Sequence, residues 1–276
     1  MILVTGATGR VGRALVEELD ATGAEFRVLV RDPVRLSARA DHVVGDLGVP
    51  ETLKEAFDGV DKMFLLAPGI GLEHTTNVLE TANDLQHLVL LSSYAAAAEP
   101  LPAMGRWHHE REQLIHAAGV PATFLRPTGF MTNTFDWLPT IREGYVLDPI
   151  GPGRAAPIDP ADIAAVAAAV LTQEGHQHKA YTLTGEEVFT VAEQVAILAT
   201  AIGRDLELRP IATPEDAVRF RYPDGAPPAL AKALVEGLQL MRADTVGLRT
   251  DDVRRLLHRR PAAFADWCER NAIAFK

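Results

Sequence analysis

Three glycines at three-residue spacing, Gly6, Gly9 and Gly12, follow the apolar run Ile2-Leu3-Val4 and open a helical pattern. A strand that turns through glycine into a helix leaves the first helical N–H groups aimed at one point, where the macrodipole favours an anion. Gly6 permits the tight turn, Gly9 lets the backbone approach a pyrophosphate, and Gly12 lets the helix pack down on the sheet. In this strand–turn–helix context the spacing reads as a dinucleotide-phosphate cradle, with Thr8, Arg10 and Val11 completing it. An ordinary glycine loop would lack the β-run before it and the helix after it.

Other chemistry-bearing residues stand at the ends of later apolar runs. Arg31 lies 19 positions after Gly12, where NAD-preferring domains carry an acidic residue for the ribose hydroxyls. A guanidinium there pairs with a 2′-phosphate and stacks on adenine, so the expected cofactor is NADP, with NADPH preferred over NADH. Asp32 is the argument for NAD, but it comes one position late and is placed to cap the next turn. Asp46 and Leu47 stand where adenine would lie. Leu66, Ala67 and Pro68 form a small-residue turn suited to the nicotinamide ribose, and Ser92, Ser93 and Tyr94 present hydroxyls where chemistry should occur.

These residues need a scaffold that gathers them. Apolar runs at 2–4, 26–30, 42–44, 62–66, 87–91 and 123–125 alternate with helical stretches at 13–19, 50–57, 72–83 and 107–118. Strands without polar alternation belong to a parallel sheet covered on both faces. The expected fold class is therefore α/β, a Rossmann-type doubly wound parallel sheet whose ligand crevice lies at the strand C-termini, with a smaller interleaved C-terminal α/β lobe. The boundaries read as 1–148 for the dinucleotide-binding domain, with 160–185 adding to it, and 149–276 for a mainly substrate-binding lobe. Within that lobe Asp159-Pro160 and the capping box Thr190…Glu193 mark helix starts, 180–183 and 206–211 read as strands, and Thr213 and Pro227 open further helices.

The chain has 276 residues, 47% of them hydrophobic and 23% charged, enough for one well-buried α/β core. Its net charge of −10 disfavours direct nucleic-acid binding, and the basic clusters Arg254-Arg255 and His258-Arg259-Arg260 read as solvated helix faces. No apolar run approaches the roughly 20 residues that span a bilayer, and no basic-then-apolar leader precedes Ile2. With a single cysteine, Cys268, no internal disulfide forms, and a cytoplasmic location without membrane or metal is expected. A homodimer through 72–83 or the C-terminal helices is compatible with the pattern.

The segments TGATGRVG, LVRDP, GDL, LLSS, LRPTGFMTN and PIDPADIAAVAAAVL, in this order and spacing, resemble the NmrA-like branch of the atypical short-chain dehydrogenase/reductase superfamily. That branch includes type-2 quinone reductases and NADP-binding redox sensors, and the resemblance extends over most of the chain. It places Pro127 and Gly129 against the cofactor. Active short-chain dehydrogenases carry Tyr-x-x-x-Lys after the fifth strand; here the tyrosine position falls on Met104 and the lysine position on His108, with Glu112 at a downstream acidic position. A thioether exchanges no proton, which disfavours alcohol–ketone chemistry. His108, with an intrinsic pKa of roughly 6.5, is the substitute acid, base or ribose ligand, unless it is a polar surface position. Ser93 and Tyr94 would hydrogen-bond a substrate oxygen. Trp107, Phe130, Phe135 and Trp137 either wall in a planar substrate or pack the lobes together, and Asn133 bonds substrate or caps a helix. Two functions follow: an NADPH-dependent oxidoreductase reducing an aromatic, quinone-like or conjugated carbonyl substrate, or a non-catalytic NADP-binding sensor. A secondary-metabolite tailoring enzyme of the same family is a variant of the first.

Overall fold

The computed structural model describes residues 1–36, 40–82 and 84–276. The strands β1 (Ile2–Thr5), β2 (Phe26–Val30), β3 (Asp41–Val44), β4 (Lys62–Leu65), β5 (His87–Leu91), β6 (Ala122–Pro127) and β8 (Lys179–Leu183) form one seven-stranded sheet in the order β3-β2-β1-β4-β5-β6-β8. Every pair in it is parallel. A second sheet of two parallel strands joins β7 (Tyr145–Asp148) to β9 (Glu207–Pro210). The helices are α1 (Arg10–Thr22), α2 (Glu73–Thr81), α3 (Ala103–Ala117), α4 (Leu138–Ile141), α5 (Pro160–Thr172), α6 (Val191–Ile202), α7 (Pro214–Arg221), α8 (Pro228–Ala243), α9 (Asp252–Leu257) and α10 (Phe264–Asn271).

The uniform apolarity of the strands is explained by two cores back to back. On one face Val4, Val28, Phe64, Val89 and Leu125 pack with Val11, Leu15 and Leu19 of α1 and Ile163, Val166 and Val170 of α5. On the other, Leu3, Leu29, Met63, Leu65 and Leu88 pack with Val78 of α2 and Ile115 of α3. Successive strand residues point to opposite faces and both are covered, so no polar alternation is possible. A third core, built on Met131, Val146, Leu198, Phe264 and Trp267, belongs to the C-terminal lobe.

Interleaving occurs as the sequence suggests: β8 adds to the main sheet and α5 packs against α1, while the chain on either side of them builds the lobe. Residues 145–148, which fall inside the boundary read for the first unit, pair with β9. The helix expected over 50–57 is a correction: the segment forms two short 3₁₀ turns, Pro50–Thr52 and Glu55–Phe57. Thr52 and Leu53 N–H donate three residues back, to the Val49 and Pro50 carbonyls, and the Thr52 hydroxyl donates to the Val49 carbonyl as well, which holds the segment in the tighter turn. Asn83, the last residue of the helix expected over 72–83, lies outside the described residues, and α2 covers Glu73–Thr81. Both anticipated caps are present, the Asp159 carboxylate accepting from Ala161 N–H and Thr190 and Glu193 forming a reciprocal capping box. The basic clusters are paired, Arg254 with Glu186, Arg255 with Asp252 and Arg259 with Asp162. Among the described residues no helix is long and apolar enough to cross a membrane.

One buried histidine makes the fold pH-sensitive. Thr123 Oγ1 donates to the His176 carbonyl at 2.6 Å, so it must accept from His87 Nε2 at 2.8 Å. That fixes the tautomer and leaves Nδ1 of His87 buried without a hydrogen-bond partner among the described residues. Burial, followed by the charge of Lys62, pulls its pKa from 6.5 to about 4. The unfolded chain therefore binds a proton between these values that the native chain does not, and stability falls as pH drops through this window. At pH 5 the expected loss is about 2 kcal/mol from this group. Thermal melts of wild type and His87→Leu at pH 7 and pH 5 check it: the variant should lose less stability on acidification, and equal losses would refute the assignment.

Candidate active site

The glycine turn has the geometry its spacing implies. Gly6 adopts φ +70°, open to glycine at no steric cost, and its carbonyl accepts from Gly9 N–H at 2.9 Å. A Cβ on Gly12 would lie 2.2 Å from the Gly6 oxygen, so α1 seats directly on the turn. Gly9 is the N-cap of α1 and supplies no side chain to its first N–H groups, and no acidic residue stands in the first turn. Those donors are what a pyrophosphate requires, and the cradle fits a dinucleotide. Arg10 reaches away from it: its guanidinium donates to the Thr132 carbonyl at 3.1 Å and lies 5.4 Å from the centre of the Phe135 ring. It thereby fastens the cofactor turn to the 131–137 segment.

The loops after the strands gather beside the turn. Arg31 is exposed at the end of β2, while the Asp32 carboxylate accepts from Val34 N–H at 3.0 Å and caps the following turn. Asp46 accepts from Gly48 N–H, and the carbonyl of buried Leu47 accepts from Asn77. Leu66 receives the Thr5 hydroxyl oxygen on its N–H and lies under Gly6. Sequence reasoning missed what holds the loop beyond it. Buried Arg111 on α3 donates to the carbonyls of Ala67, Gly69 and Gly71 at 3.2, 2.6 and 3.0 Å. Three carbonyls converging on one guanidinium order a glycine-rich segment that has little order of its own.

At the end of β5 the three hydroxyl residues have separate fates. Ser92 donates to Glu112 Oε1 at 2.5 Å; Glu112 is 2% exposed and is gripped in bidentate fashion by Arg126 at 3.0 and 2.5 Å. Ser93 caps the 3₁₀ turn Tyr94–Ala97 by accepting from Ala95 N–H. Burial raises the Tyr94 pKa, with the charge of Asp244 adding to it, so the phenol keeps its proton at neutral pH. Met104, His108 and Glu112 recur at intervals of four on α3 and share one face. His108 Nδ1 is buried without a partner among the described residues, and burial, reinforced by Arg111, lowers its pKa to about 4. The imidazole is neutral at pH 7. It offers a neutral hydrogen bond there and not the imidazolium acid its intrinsic pKa suggested.

Between the loop that follows β6 and the helices α7 and α8 lies a cavity of about 680 Å³. Gly129, Phe130, Asn133, Phe135 and Trp137 line one side, Ile150, Val191 and Gln194 another, and α7 and α8 roof it with Phe220, Leu234, Leu238 and Met241. Phe130, Asn133 and Trp137 are thus brought together in one lining. Trp107 is not: α3 reaches the lining only through Met104 in its first turn, and Trp107 and His108 sit a turn further on. Ser93 and Tyr94 are also outside the lining. Phe135 serves both readings at once, since it lines the cavity and stacks on Phe275 at 5.2 Å in the lobe core. A larger open hollow of about 1020 Å³ lies at the opposite ends of β4 and β5, far from the glycine turn. Its charged residues are carboxylates except for Lys54, and it has none of the groups a dinucleotide needs.

A family described as NAD(P)H-binding matches residues 6–174, spanning the glycine turn, the strand-end loops and α5. The chain belongs to this family. It is 36% identical over 282 residues to a (4-alkanoyl-5-oxo-2,5-dihydrofuran-3-yl)methyl phosphate reductase of Streptomyces griseus, covering 100% of this chain and 99% of that one. It is 34% identical over 284 residues to an NAD(P)H azoreductase of Xenophilus azovorans, with the same coverage. Among solved structures, an NADPH-dependent quinone oxidoreductase of Escherichia coli complexed with NADPH superposes with a TM-score of 0.85 at 25% identity, over 98% of this chain and 99% of that one. The chain is therefore an NAD(P)H-dependent oxidoreductase of the NmrA-like, atypical short-chain dehydrogenase/reductase superfamily, as its motifs suggested.

Proposed function

We propose that this protein is an NADPH-preferring reductase of flat conjugated electrophiles, quinones and conjugated carbonyls first among them. The observation that carries this reading is the cavity: walled by Phe130, Phe135 and Trp137 and edged by Met104, it stacks a planar ring and offers no proton where the superfamily keeps its tyrosine. An acceptor whose reduced form is a stabilised phenolate or enolate tolerates that lack, whereas a simple ketone needs a proton as its alkoxide forms. The named acceptors of the relatives, an acyl-substituted unsaturated lactone, an azo compound and a quinone, are all conjugated acceptors, which supports the reading.

When bound, the nicotinamide supplies the hydride. The chain's own residues bind and orient. Gly6, Thr8, Gly9, Val11 and Gly12 hold the pyrophosphate, Arg10 adding its backbone N–H alone, Asp46 and Leu47 flank the adenine, and Leu66, Ala67, Pro68, Ser92, Pro127 and Gly129 border the nicotinamide end. Ser93, Tyr94 and neutral His108 are the hydrogen-bonding groups beside it. Phe130, Asn133 and Trp137 hold the acceptor.

Arg31 takes the 2′-phosphate. Asp32 is engaged as a cap, which removes the obvious competitor for the ribose hydroxyls of NADH. Arg31→Ala should lower the ratio of kcat/KM for NADPH over NADH by at least about tenfold, the worth of a charge-assisted hydrogen bond. An unchanged ratio would remove Arg31 from the specificity assignment. The function itself is tested by NADPH oxidation with a quinone against a simple ketone.

A further inference from the structure

The cavity's charge balance narrows the substrate further, on the reading that the acceptor binds there. Among the described residues that line it, the charged ones are Asp136 and Arg221, and they hold each other, Arg221 Nη2 donating to Asp136 Oδ2 at 2.9 Å. Both are about half exposed, which places the pair at the mouth. The cations that flank the walls are occupied as well. Arg242 gives its N–H groups to the carbonyls of Pro149, Ile211 and Ala212. Arg154 bonds the Val188 carbonyl and Glu193, and Arg10 bonds the Thr132 carbonyl. What remains inside is neutral: the amides of Asn133 and Gln194 and the hydroxyls of Thr134 and Thr140.

A phosphate, sulfonate or carboxylate entering this space would lose its water and meet no uncommitted cation, which is costly. We infer that Asp136 is a specificity-determining residue: by holding Arg221 it makes the cavity select uncharged acceptors and reject anionic ones. The named substrate of the Streptomyces griseus relative carries a phosphate; the cavity described here is built for one that does not. Asn133 and Gln194 would recognise carbonyl or hydroxyl groups of the neutral ring.

The test compares naphthoquinone with naphthoquinone sulfonate on wild type, Asp136→Asn and the double variant Asp136→Asn/Arg221→Gln. For each protein it reads kcat/KM with NADPH and, separately, the Kd of each quinone for the cofactor-free protein by calorimetry. Wild type should favour the neutral quinone. Asp136→Asn should raise the sulfonate-to-neutral ratio about fivefold, the worth of one exposed ion pair, and the double variant should return it. Sulfonate accepted as well as the neutral quinone by wild type would overturn the inference. So would an equal change for both quinones in Asp136→Asn, which marks the pair as a strut, or failure of both to bind. If the ratios follow expectation in Kd while neither quinone oxidises NADPH, the charge filter stands and the reductase reading fails.

Discussion

Gly12→Ala is expected to abolish measurable NADPH binding and to destabilise the fold by about 1–3 kcal/mol, the usual cost of overpacking. The added methyl would stand 2.2 Å from the Gly6 oxygen, 2.6 Å from the Gly6 carbonyl carbon and 2.9 Å from Ala7 Cα. All three are backbone atoms of the turn, so no side chain can swing aside. Either α1 lifts from the sheet, breaking contacts of Val11 and Leu15, or the turn itself deforms. Both outcomes move the N–H groups that converge on the pyrophosphate, and a displacement of roughly 1 Å at such a site costs about a hundredfold. Gly9→Ala is the control for the melt and not for NADPH affinity, because its Cβ would meet the same oxygen at 3.2 Å, a contact relieved by a few tenths of an ångström, while Gly9 itself belongs to the cradle. Fluorescence titration with NADPH and a thermal melt separate the two effects. Wild-type affinity in Gly12→Ala would show that the cradle is elsewhere.

Glu112→Ala is expected to cost about 3–5 kcal/mol, the penalty for leaving a charge in a buried pair without its partner. Glu112 is 2% exposed and receives three hydrogen bonds, two from Arg126 and one from the Ser92 hydroxyl. Its removal leaves Arg126, mostly covered at the end of β6, facing a void, and releases Ser92 at the end of β5. A fall in Tm of about 10 °C should follow for a chain of this size. Glu112→Gln keeps the shape and the Ser92 contact but not the charge, and should lie between the two. A melt of Glu112→Ala within a degree or two of wild type would show that the network contributes little to the fold.

Legibility in the sequence followed the range of the interaction. The glycine turn, the caps at Asp159 and Thr190 and the apolar strands rest on contacts within a few residues, so residue type and spacing carry them. The aromatic wall was visible in part, since Phe130, Asn133 and Trp137 fall on one short segment that turns into the cavity. Trp107 differs because it stands a turn beyond Met104, and how far along α3 the lining extends depends on where α7 and α8 close over the cavity, which no local pattern encodes. Arg111 was missed for the same reason: its three carbonyl partners lie about forty positions earlier, and nothing near it in the sequence marks a buried guanidinium. His108 was visible as a residue but not as a base of lowered pKa, which depends on burial beside Arg111. The two halves of the Asp136–Arg221 pair are 85 positions apart and meet only when α7 folds over the cavity.

The central claim is that hydride delivery proceeds here without a side-chain proton at position 104, and so only to conjugated acceptors. The measurement that bears on it most directly is NADPH oxidation, followed at the nicotinamide absorbance band, with naphthoquinone and with cyclohexanone at matched concentrations. Turnover of the quinone and none of the ketone is expected. Equal turnover of the ketone, or none of any conjugated acceptor by protein that binds NADPH, would contradict it.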